Sequence, residues 1–138
     1  MGRALAPDAP YYIPPELVSL YIKGDGNRVI DHLSFLEGLT NLEELVLVDT
    51  RVQDLSPLSA LTRLKKLHIT GLDLKCGKHV SVTPLASLTA LEELSLAGSK
   101  SITDAVPIGT LVALKGIDLS ASGIVNHTPL QQPGLVIR

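Results

Sequence analysis

Three side chains in the middle of the chain could bind a metal ion. His68, Cys76 and His79 lie close together in sequence, and Cys76 and His79 have the Cys-x-x-His spacing of a zinc ligand pair. A structural zinc ion needs four ligands, however, and the only further candidate, Asp73, belongs to the same segment. The segment Gly24-Asp25-Gly26-Asn27 likewise lacks the carboxylates that calcium requires. The sequence therefore predicts no metal and no other cofactor.

Residue types that support catalysis are present, but they are not arranged as a catalytic site. The chain contains no glycine-rich phosphate loop and no nucleophile elbow. Asp118 and His68 are predicted to share a face, but on strands that are two apart, a separation of roughly 10 Å. The basic residues around Lys65 lack the interleaved aromatic side chains on which nucleic-acid-binding proteins stack bases. We therefore predict that the protein is not an enzyme and that it has no nucleic-acid partner.

A leucine pattern that restarts every 22 to 27 residues determines where these side chains lie. Each copy reads L-x-x-L-x-L and is followed by aliphatic residues spaced three apart, such as Leu55, Leu58 and Leu61. Units that repeat in this way cannot bury their apolar faces alone, so they stack and share one core. The five copies begin at Leu17, Leu42, Leu64, Leu91 and Leu114.

The unit from Leu42 to Arg63, LEELVLVDTRVQDLSPLSALTR, resembles the leucine-rich repeats, in particular the short repeats of bacterial internalins and of the phosphatase-regulating subfamily. Its second half has their D-x-x-P-L-x-x-L-x-x-L pattern, and Pro84, Pro107 and Pro129 mark the same place in later units. The resemblance implies an α/β fold. This fold is a right-handed leucine-rich-repeat solenoid with a parallel β-sheet on its concave side and short helical or 3-10 turns on its convex side.

One position departs from the family pattern. Family members usually place an asparagine three residues after the last strand leucine, where its amide satisfies backbone groups in the turn. Serine and threonine hydroxyls can make a weaker version of this bond. Leu72 has neither a hydroxyl nor an amide side chain, so the turn of the third unit is expected to lack this hydrogen bond. The equivalent residues here are Asp25, Thr50, Leu72, Ser99 and Ser122.

The array is expected to occupy residues 17–130. Residues 1–16 are rich in proline and alanine, which predicts an extended N-terminal lead-in or cap. Residues 131–138 form a C-terminal tail or a makeshift cap. The ends of repeat arrays need a cover. Either Leu135-Val136-Ile137 folds back over the last unit, or another chain covers this end, or the sequence is a piece of a longer protein.

Charged residues alternate in sign from one predicted strand to the next. Equivalent residues of adjacent parallel strands lie about 5 Å apart, so each charge faces opposite charges on its neighbours. The alternation favours a ladder of ion pairs, worth about 0.2–1 kcal/mol each, over an electrostatic recognition surface, because opposite charges largely cancel their field. The two rows are Glu43, Lys65, Glu92 and Lys115, and Glu44, Lys66, Glu93 and Gly116.

Two surfaces are candidates for binding a protein partner. The first is the concave face of the sheet. The second is the edge where the two longest units insert residues after the strand, since such insertions emerge on one side of a solenoid and are expected to be residues that the core does not need. The concave candidates are Tyr21, Lys23, Glu44, Val46, Val48, Lys66, His68, Glu93 and Asp118, and the edge-loop candidates are Asp25, Asn27, Arg28, Lys75, Lys78 and His79.

Composition narrows the range of partners and compartments. The net charge is −2, from 12 basic and 14 acidic residues, so there is no overall field for nucleic acid or an anionic membrane. No apolar stretch reaches the length of a membrane span, and the N-terminus lacks the apolar core of a signal peptide. The single Cys76 excludes an internal disulfide and favours a reducing, cytoplasmic location.

The sequence thus predicts a non-catalytic protein–protein interaction module whose partner it does not identify. The alternative is a structural subunit or fragment of a larger assembly, with solenoid ends that neighbouring chains cover. In that case, the C-terminal end is the expected place for end-to-end association.

Overall fold

The computed structural model describes residues 13–24, 30–74 and 77–138. Within these ranges, six strands form a single parallel sheet in which every strand pairs with the next one along the chain. The leucine-rich-repeat solenoid predicted from the sequence is confirmed. The strands are β1 (Ser19–Lys23), β2 (Glu44–Val48), β3 (Lys66–Thr70), β4 (Glu93–Ser95), β5 (Gly116–Asp118) and β6 (Val136–Ile137).

Alternate strand residues face the core and the solvent, as the period of two in the sequence predicts. In β2, Leu45 and Leu47 are fully buried, whereas Glu44 is exposed. The register aligns each buried leucine with its equivalent in the next unit, so Leu45 pairs with Leu67 and Leu67 pairs with Leu94. The buried side chains consequently form continuous layers across the sheet.

The convex side consists of short 3-10 helices. A comb of aliphatic residues spaced three apart suits a helix of three residues per turn, because every third side chain then points to the core. Proline stands in the first turn of η2, η3 and η4, where a backbone N–H would have no partner within the helix. The four helices are η1 (Ser34–Leu36), η2 (Ser56–Ala60), η3 (Thr83–Ser87) and η4 (Val106–Thr110).

At the start of several of these convex segments, a polar side chain accepts a hydrogen bond from the backbone N–H of the residue two positions later. Asp54 Oδ1 accepts a hydrogen bond from the N–H of Ser56 at 2.9 Å, and Asp104 Oδ1 accepts one from Val106 at 2.9 Å. Ser81 Oγ and Asn126 Oδ1 do the same in their units, at 3.2 and 3.0 Å. The same local bond therefore recurs at one place in successive units, although the residue type differs.

The side chains of both halves of each unit meet in one core. Strand leucines such as Leu67 and convex leucines such as Leu58 belong to a single cluster that runs from Leu20 to Leu130. Ile13 and Leu17 pack against its N-terminal end while only partly buried. Residues 1–12 of the expected lead-in lie outside the described residues.

The turn of the third unit is held by the neighbouring unit. The Ser99 hydroxyl accepts a hydrogen bond from the N–H of Leu72 at 3.1 Å and donates one to the carbonyl of Ile69 at 2.6 Å. Ser101 Oγ accepts a further bond from the N–H of Leu74 at 2.7 Å. The expectation that this turn lacks its polar partner is therefore wrong, because the hydroxyl comes from the next unit.

The insertion in the third unit also contributes to the core. Leu72 and Leu74 are buried, and so is Val80 on the far side of the insertion. The expectation that the core does not need the inserted residues is wrong for Leu72 and Leu74, since burial of an aliphatic side chain stabilises by about 1.5–3 kcal/mol. Lys78 and His79 are exposed, as a surface loop requires.

Strand β6 extends the sheet beyond the fifth leucine copy. Val136 pairs with Gly116 and Ile137 pairs with Ile117. Arg138 continues the ladder, because its N–H donates to Ile117 at 2.8 Å and its carbonyl accepts from Leu119 at 2.6 Å. The segment containing Leu135-Val136-Ile137 is thus folded against the last unit, which is one of the three alternatives that the sequence left open.

Candidate partner-binding surface

The concave face carries an apolar patch at its N-terminal half, formed by Tyr21, Val46 and Val48. Tyr21 pairs with Val46 on the adjacent strand, and both point away from the core. Tyr21 is 38% exposed, and the two valines are half-buried. Lys23 lies beside Val48 at the edge of the patch. A tyrosine ring with flanking aliphatic side chains offers an amphipathic surface of the kind found at protein interfaces.

Ion pairs connect the strands in both charged rows. Lys65 lies 3.6 Å from Glu43, and Lys115 lies 3.3 Å from Glu92. In the second row, Lys66 Nζ lies between two carboxylates, at 3.9 Å from Glu44 and 3.6 Å from Glu93. The paired side chains are 41–76% exposed, so each pair contributes at most about 1 kcal/mol.

Gly116 interrupts the second charged row and leaves a recess in the concave face. The row alternates Glu44, Lys66 and Glu93, and the next position has no side chain. The cavity has a volume of about 240 Å³. Polar and charged side chains surround it, and we refer to it as the Gly116 recess. Its lining includes His68, Glu93, Ser95, Gly116, Asp118 and Arg138.

Asp118 supplies a fixed negative charge at this recess. Its Oδ1 atom accepts hydrogen bonds from the hydroxyl and the backbone N–H of Ser120. These bonds are the main reason that the pKa of Asp118 is lowered; burial opposes them, and the nearby charges of Arg138 and His68 lower the pKa by smaller amounts. Asp118 is therefore ionised at neutral pH. No hydrogen bond joins it to His68, so these two described residues do not form an acid–base pair.

The edge-loop candidates are described only in part. Lys78 and His79 border a second recess of about 220 Å³ together with Lys100 and Ser101. His79 Nδ1 lies 3.4 Å from Thr103 Oγ1. Asp25, Asn27, Arg28 and Lys75 lie outside the described residues, so the proximity of the two edge loops stays a prediction.

A metal site built from the described residues is not apparent. No group of three or more His, Asp or Glu side chains in 13–24, 30–74 and 77–138 could hold an ion. Cys76, the thiol of the hypothetical zinc site, lies outside these ranges. Helices in the same ranges are also too short and insufficiently apolar to cross a membrane.

Sequence reasoning missed Arg138 as a residue of the concave face. The pairing of Val136 with Gly116 places Arg138 in the row of His68, Ser95 and Asp118. Gly134 occupies the position of the first ladder leucine, so the sixth strand does not display the L-x-x-L-x-L pattern. The signal that could have revealed it is the short apolar run of residues 135–137, one unit after Ile117.

A solved structure, that of internalin C2, shares this architecture. Internalin C2 from Listeria monocytogenes str. 4b F2365 matches with a TM-score of 0.70 and 27% identity, over 90% of this chain and 52% of its own. Internalin F from the same strain matches with a TM-score of 0.43 and 24% identity, over 88% of this chain and 46% of its own. The chain thus spans about half the length of these internalins. No protein-family model matches the sequence, and no curated protein sequence matches it either.

The class of fold is accordingly a leucine-rich-repeat solenoid like that of internalin C2. The likeness concerns architecture, and it gives no residue of this chain a role.

Proposed function

We propose that this chain is a non-catalytic protein-interaction module whose concave face binds a polypeptide partner. The apolar patch of Tyr21, Val46 and Val48 is the observation that carries the proposal. Aromatic residues make up only 3% of the chain, yet one of them stands on the solvent side of the sheet. Binding hot spots favour tyrosine at the centre of an interface, where surrounding contacts exclude water.

The arrangement around the patch supports the same function. Ion pairs such as those of Lys66 hold neighbouring strands together and largely neutralise one another, so the rigid sheet presents its apolar patch within a polar surround. A rigid surface loses little conformational entropy on binding, which leaves more of the contact energy for affinity. The separation of His68 from Asp118 by a whole strand favours binding over acid–base catalysis.

The proposal can be tested with two matched substitutions. Peptides that bind the wild-type protein are first selected from a random displayed library, and their affinities are measured by fluorescence anisotropy. Val46→Lys places a charge in the apolar patch and is expected to weaken binding at least roughly tenfold, by about 1.4 kcal/mol. Val106→Lys makes the same change on the convex side, where Val106 is 61% exposed, and should leave the affinity unchanged. Equal effects of the two variants would contradict the proposal.

A structural role in a larger assembly is the second candidate function. Among the described strands, β6 lies at the edge of the sheet, and its residue Val136 is 60% exposed. An open strand edge with apolar side chains is a template for pairing with another chain. Sedimentation equilibrium distinguishes the two candidates: a monomer at high concentration favours the binding module, whereas an association that Val136→Lys abolishes favours end-to-end assembly.

We further propose a reducing, cytoplasmic compartment. The support for this location is the single cysteine of the sequence, since small disulfide-stabilised domains belong to oxidising compartments. Fractionation of the source cell tests this proposal directly, and recovery of the protein in the culture medium would contradict it.

A further inference from the structure

We propose that residues 131–138 are exchanged between two copies of the chain, so that strand β6 of each copy pairs with strand β5 of the other. The partner is thus a second copy, and the site that its β6 enters is the edge of β5. This inference goes beyond the proposed function, because the apolar patch of the concave face takes no part in it. It also differs from pairing at the outer edge of β6, in which each β6 would stay on its own chain.

The connection that leads into β6 is two residues shorter than the equivalent connections of the array. In each earlier unit, eight positions separate the buried residue of the 3-10 helix from the strand residue of the second charged row. After the buried residue Leu130, only six positions lead to Val136, which pairs with Gly116 of that row. A short connection within one chain favours exchange of the connected element between chains. The earlier pairs are Leu36 and Glu44, Leu58 and Lys66, Leu85 and Glu93, and Ile108 and Gly116.

The shortened connection also lacks the two buried leucines that hold each of the four connections into β2, β3, β4 and β5. In the connection into β3 these are Leu61 and Leu64, and the N–H of Leu64 donates to the carbonyl of Leu61 at 3.1 Å. None of residues 131–138 is buried, and Leu135 and Ile137 are buried only in part. Since few buried apolar contacts hold this segment, it should detach at a lower free energy than a complete unit.

The contacts that hold β6 on β5 do not depend on the connection. The N–H of Val136 donates to the carbonyl of Lys115 at 2.9 Å. The carbonyl of Arg138 accepts from the N–H of Leu119 at 2.6 Å. The Arg138 side chain reaches the Gly116 recess, since a Cβ atom at Gly116 would lie 3.9 Å from its Nη2 atom. The same segment of a second copy can therefore make all of these contacts.

Detachment of β6 uncovers backbone groups of β5 that need a partner. The carbonyl of Lys115 and the N–H of Leu119 lose their hydrogen bonds to the segment. An unpaired strand edge of this kind is a template for a strand from another chain. Asp118 also loses the nearby positive charge of Arg138. The identical segment of a second copy restores both the hydrogen bonds and the charge.

A two-fold axis parallel to the strands makes the exchange geometrically simple. The connection runs from the convex side at Leu130 to the concave side at Val136. Rotation about such an axis keeps the strand direction, so the pairing stays parallel. The rotation also places the convex side of one copy on the same side of the pair as the concave side of the other. Each connection would then reach the neighbouring solenoid without crossing its thickness.

Two proteins with a single cysteine each test the exchange. Both carry Cys76→Ser, and one carries Gly116→Cys while the other carries Val136→Cys, at positions that pair across β5 and β6. Paired positions of adjacent parallel strands lie about 5 Å apart, within the range that a disulfide spans. The two proteins are mixed, incubated and oxidised, and an affinity tag on one of them identifies the mixed dimer. Because neither protein can form an internal disulfide, the mixed disulfide reports β6 of one chain on β5 of the other.

Val106→Cys, at a convex position that is 61% exposed, is the matched control for random collision. Thiols held on paired strands react at an effective concentration in the millimolar range, so at about 0.1 mM protein the Gly116→Cys and Val136→Cys mixture should give at least about tenfold more mixed disulfide than the Val106→Cys and Val136→Cys mixture. A yield no higher than the control overturns the exchange. That result would leave the proposed function intact, because Val46→Lys tests it separately.

Native-state hydrogen exchange measures the detachment in the unmodified protein. The N–H of Leu119 donates to Arg138, and the N–H of Leu96 donates to Asp118 at 2.8 Å from the equivalent position of the preceding unit. The Leu119 amide should exchange at least about tenfold faster, because it is freed whenever the segment detaches. Equal protection of the two amides would show that the segment opens only with the whole array, and would overturn the inference even if a cysteine variant failed to fold.

The role of the connection is tested by lengthening it. Insertion of Ser-Gly between Gln132 and Pro133 restores the eight-position spacing of the other units. The longer connection lets β6 close more readily on its own chain, so the yield of mixed disulfide should fall towards that of the control. An undiminished yield would overturn the part of the inference that assigns the exchange to the short connection.

Discussion

At the scale of single residues, the Ser99 hydroxyl connects two units of the solenoid. It is fully buried, it accepts the N–H of Leu72, and it donates to the carbonyl of Ile69. Both groups belong to the preceding unit, where the inserted loop leaves the strand. A hydroxyl is the smallest side-chain group that can serve as donor and acceptor at once. A polar residue of the fourth unit therefore determines the path of the backbone in the third.

Ser99→Ala should lower the free energy of unfolding by about 2–4 kcal/mol. The substitution leaves one buried donor and one buried acceptor unsatisfied, and each costs about 1–3 kcal/mol. Urea denaturation measures the change. Ser59→Ala is the control, because the Ser59 hydroxyl bonds the exposed Ser56 carbonyl at 2.8 Å, and its loss should cost less than about 0.5 kcal/mol. Equal losses in the two variants would refute the bridging role of Ser99.

The Asp118 carboxyl should titrate below the ordinary aspartate value of about 3.9. The lowered pKa of Asp118 means that the Ser120 hydrogen bonds stabilise the fold fully above the unfolded-state value, and this contribution is lost as the pH falls through the folded-state pKa. Ser120→Ala removes the largest cause, so the carboxyl midpoint measured by carbon NMR should rise. The stability difference between wild type and Ser120→Ala should also shrink in acid. An unchanged midpoint would contradict the cause assigned to the shift.

At the scale of elements, the sequence predicts the strands, turns and cross-strand contacts that follow from its repeat spacing. The strand around Leu67 and the convex turn around Leu58 follow from spacings of two and three, because each spacing brings apolar side chains to one side. The cross-strand ion pairs of Lys66 follow from the same register. These features repeat, so five copies of one pattern reinforce each prediction.

Features that occur once could not be predicted in this way. The bond from Ser99 to the turn at Leu72 joins residues of different units, and their proximity depends on how the insertion packs. Strand β6 lacks the leucine that marks the start of every other unit, since Gly134 stands in its place. The Gly116 recess requires Arg138 as part of its lining, and so depends on β6 as well.

Lys66→Glu tests the ladder of ion pairs between the strands. The change removes two ion pairs and places three carboxylates on adjacent strands. We expect a loss of about 1 kcal/mol in the free energy of unfolding, because the pairs are exposed. Since mobile ions screen like-charge repulsion, added salt should reduce the loss. Lys115→Glu, which has one partner in Glu92 at 3.3 Å, should cost less; a loss that salt leaves unaffected would contradict the ladder.

At the scale of the whole molecule, the core is continuous from the first unit to the last. Leu67 lies on the central strand of the first five, with Leu45 and Leu94 as its stacked neighbours. The described residues of all five units share this one core, so a destabilising change in the middle unit should lower the stability of the whole array.

Leu67→Ala should lower the free energy of unfolding by about 2–5 kcal/mol, the range for truncation of a buried leucine. Urea denaturation followed by circular dichroism measures the loss, and the transition should remain single. The exposed residue Val112 provides a control, since Val112→Ala should change the stability by less than about 0.5 kcal/mol. A midpoint that hardly moves in Leu67→Ala would contradict the stacked register.

Because the charges alternate in sign between neighbouring units, the effect of removing or adding units on stability depends on whether their number is odd or even. Deletion of residues 64–90 would bring the strand of Glu44 beside the strand of Glu93, and like charges would meet in both rows. Deletion of residues 64–113 would instead bring Glu43 beside Lys115, and opposite charges would meet again. Versions of this solenoid that are shorter or longer than the native array by an even number of units should therefore be more stable than versions that differ by an odd number. The leucine pattern repeats with every unit, but the charge pattern repeats only with every second unit.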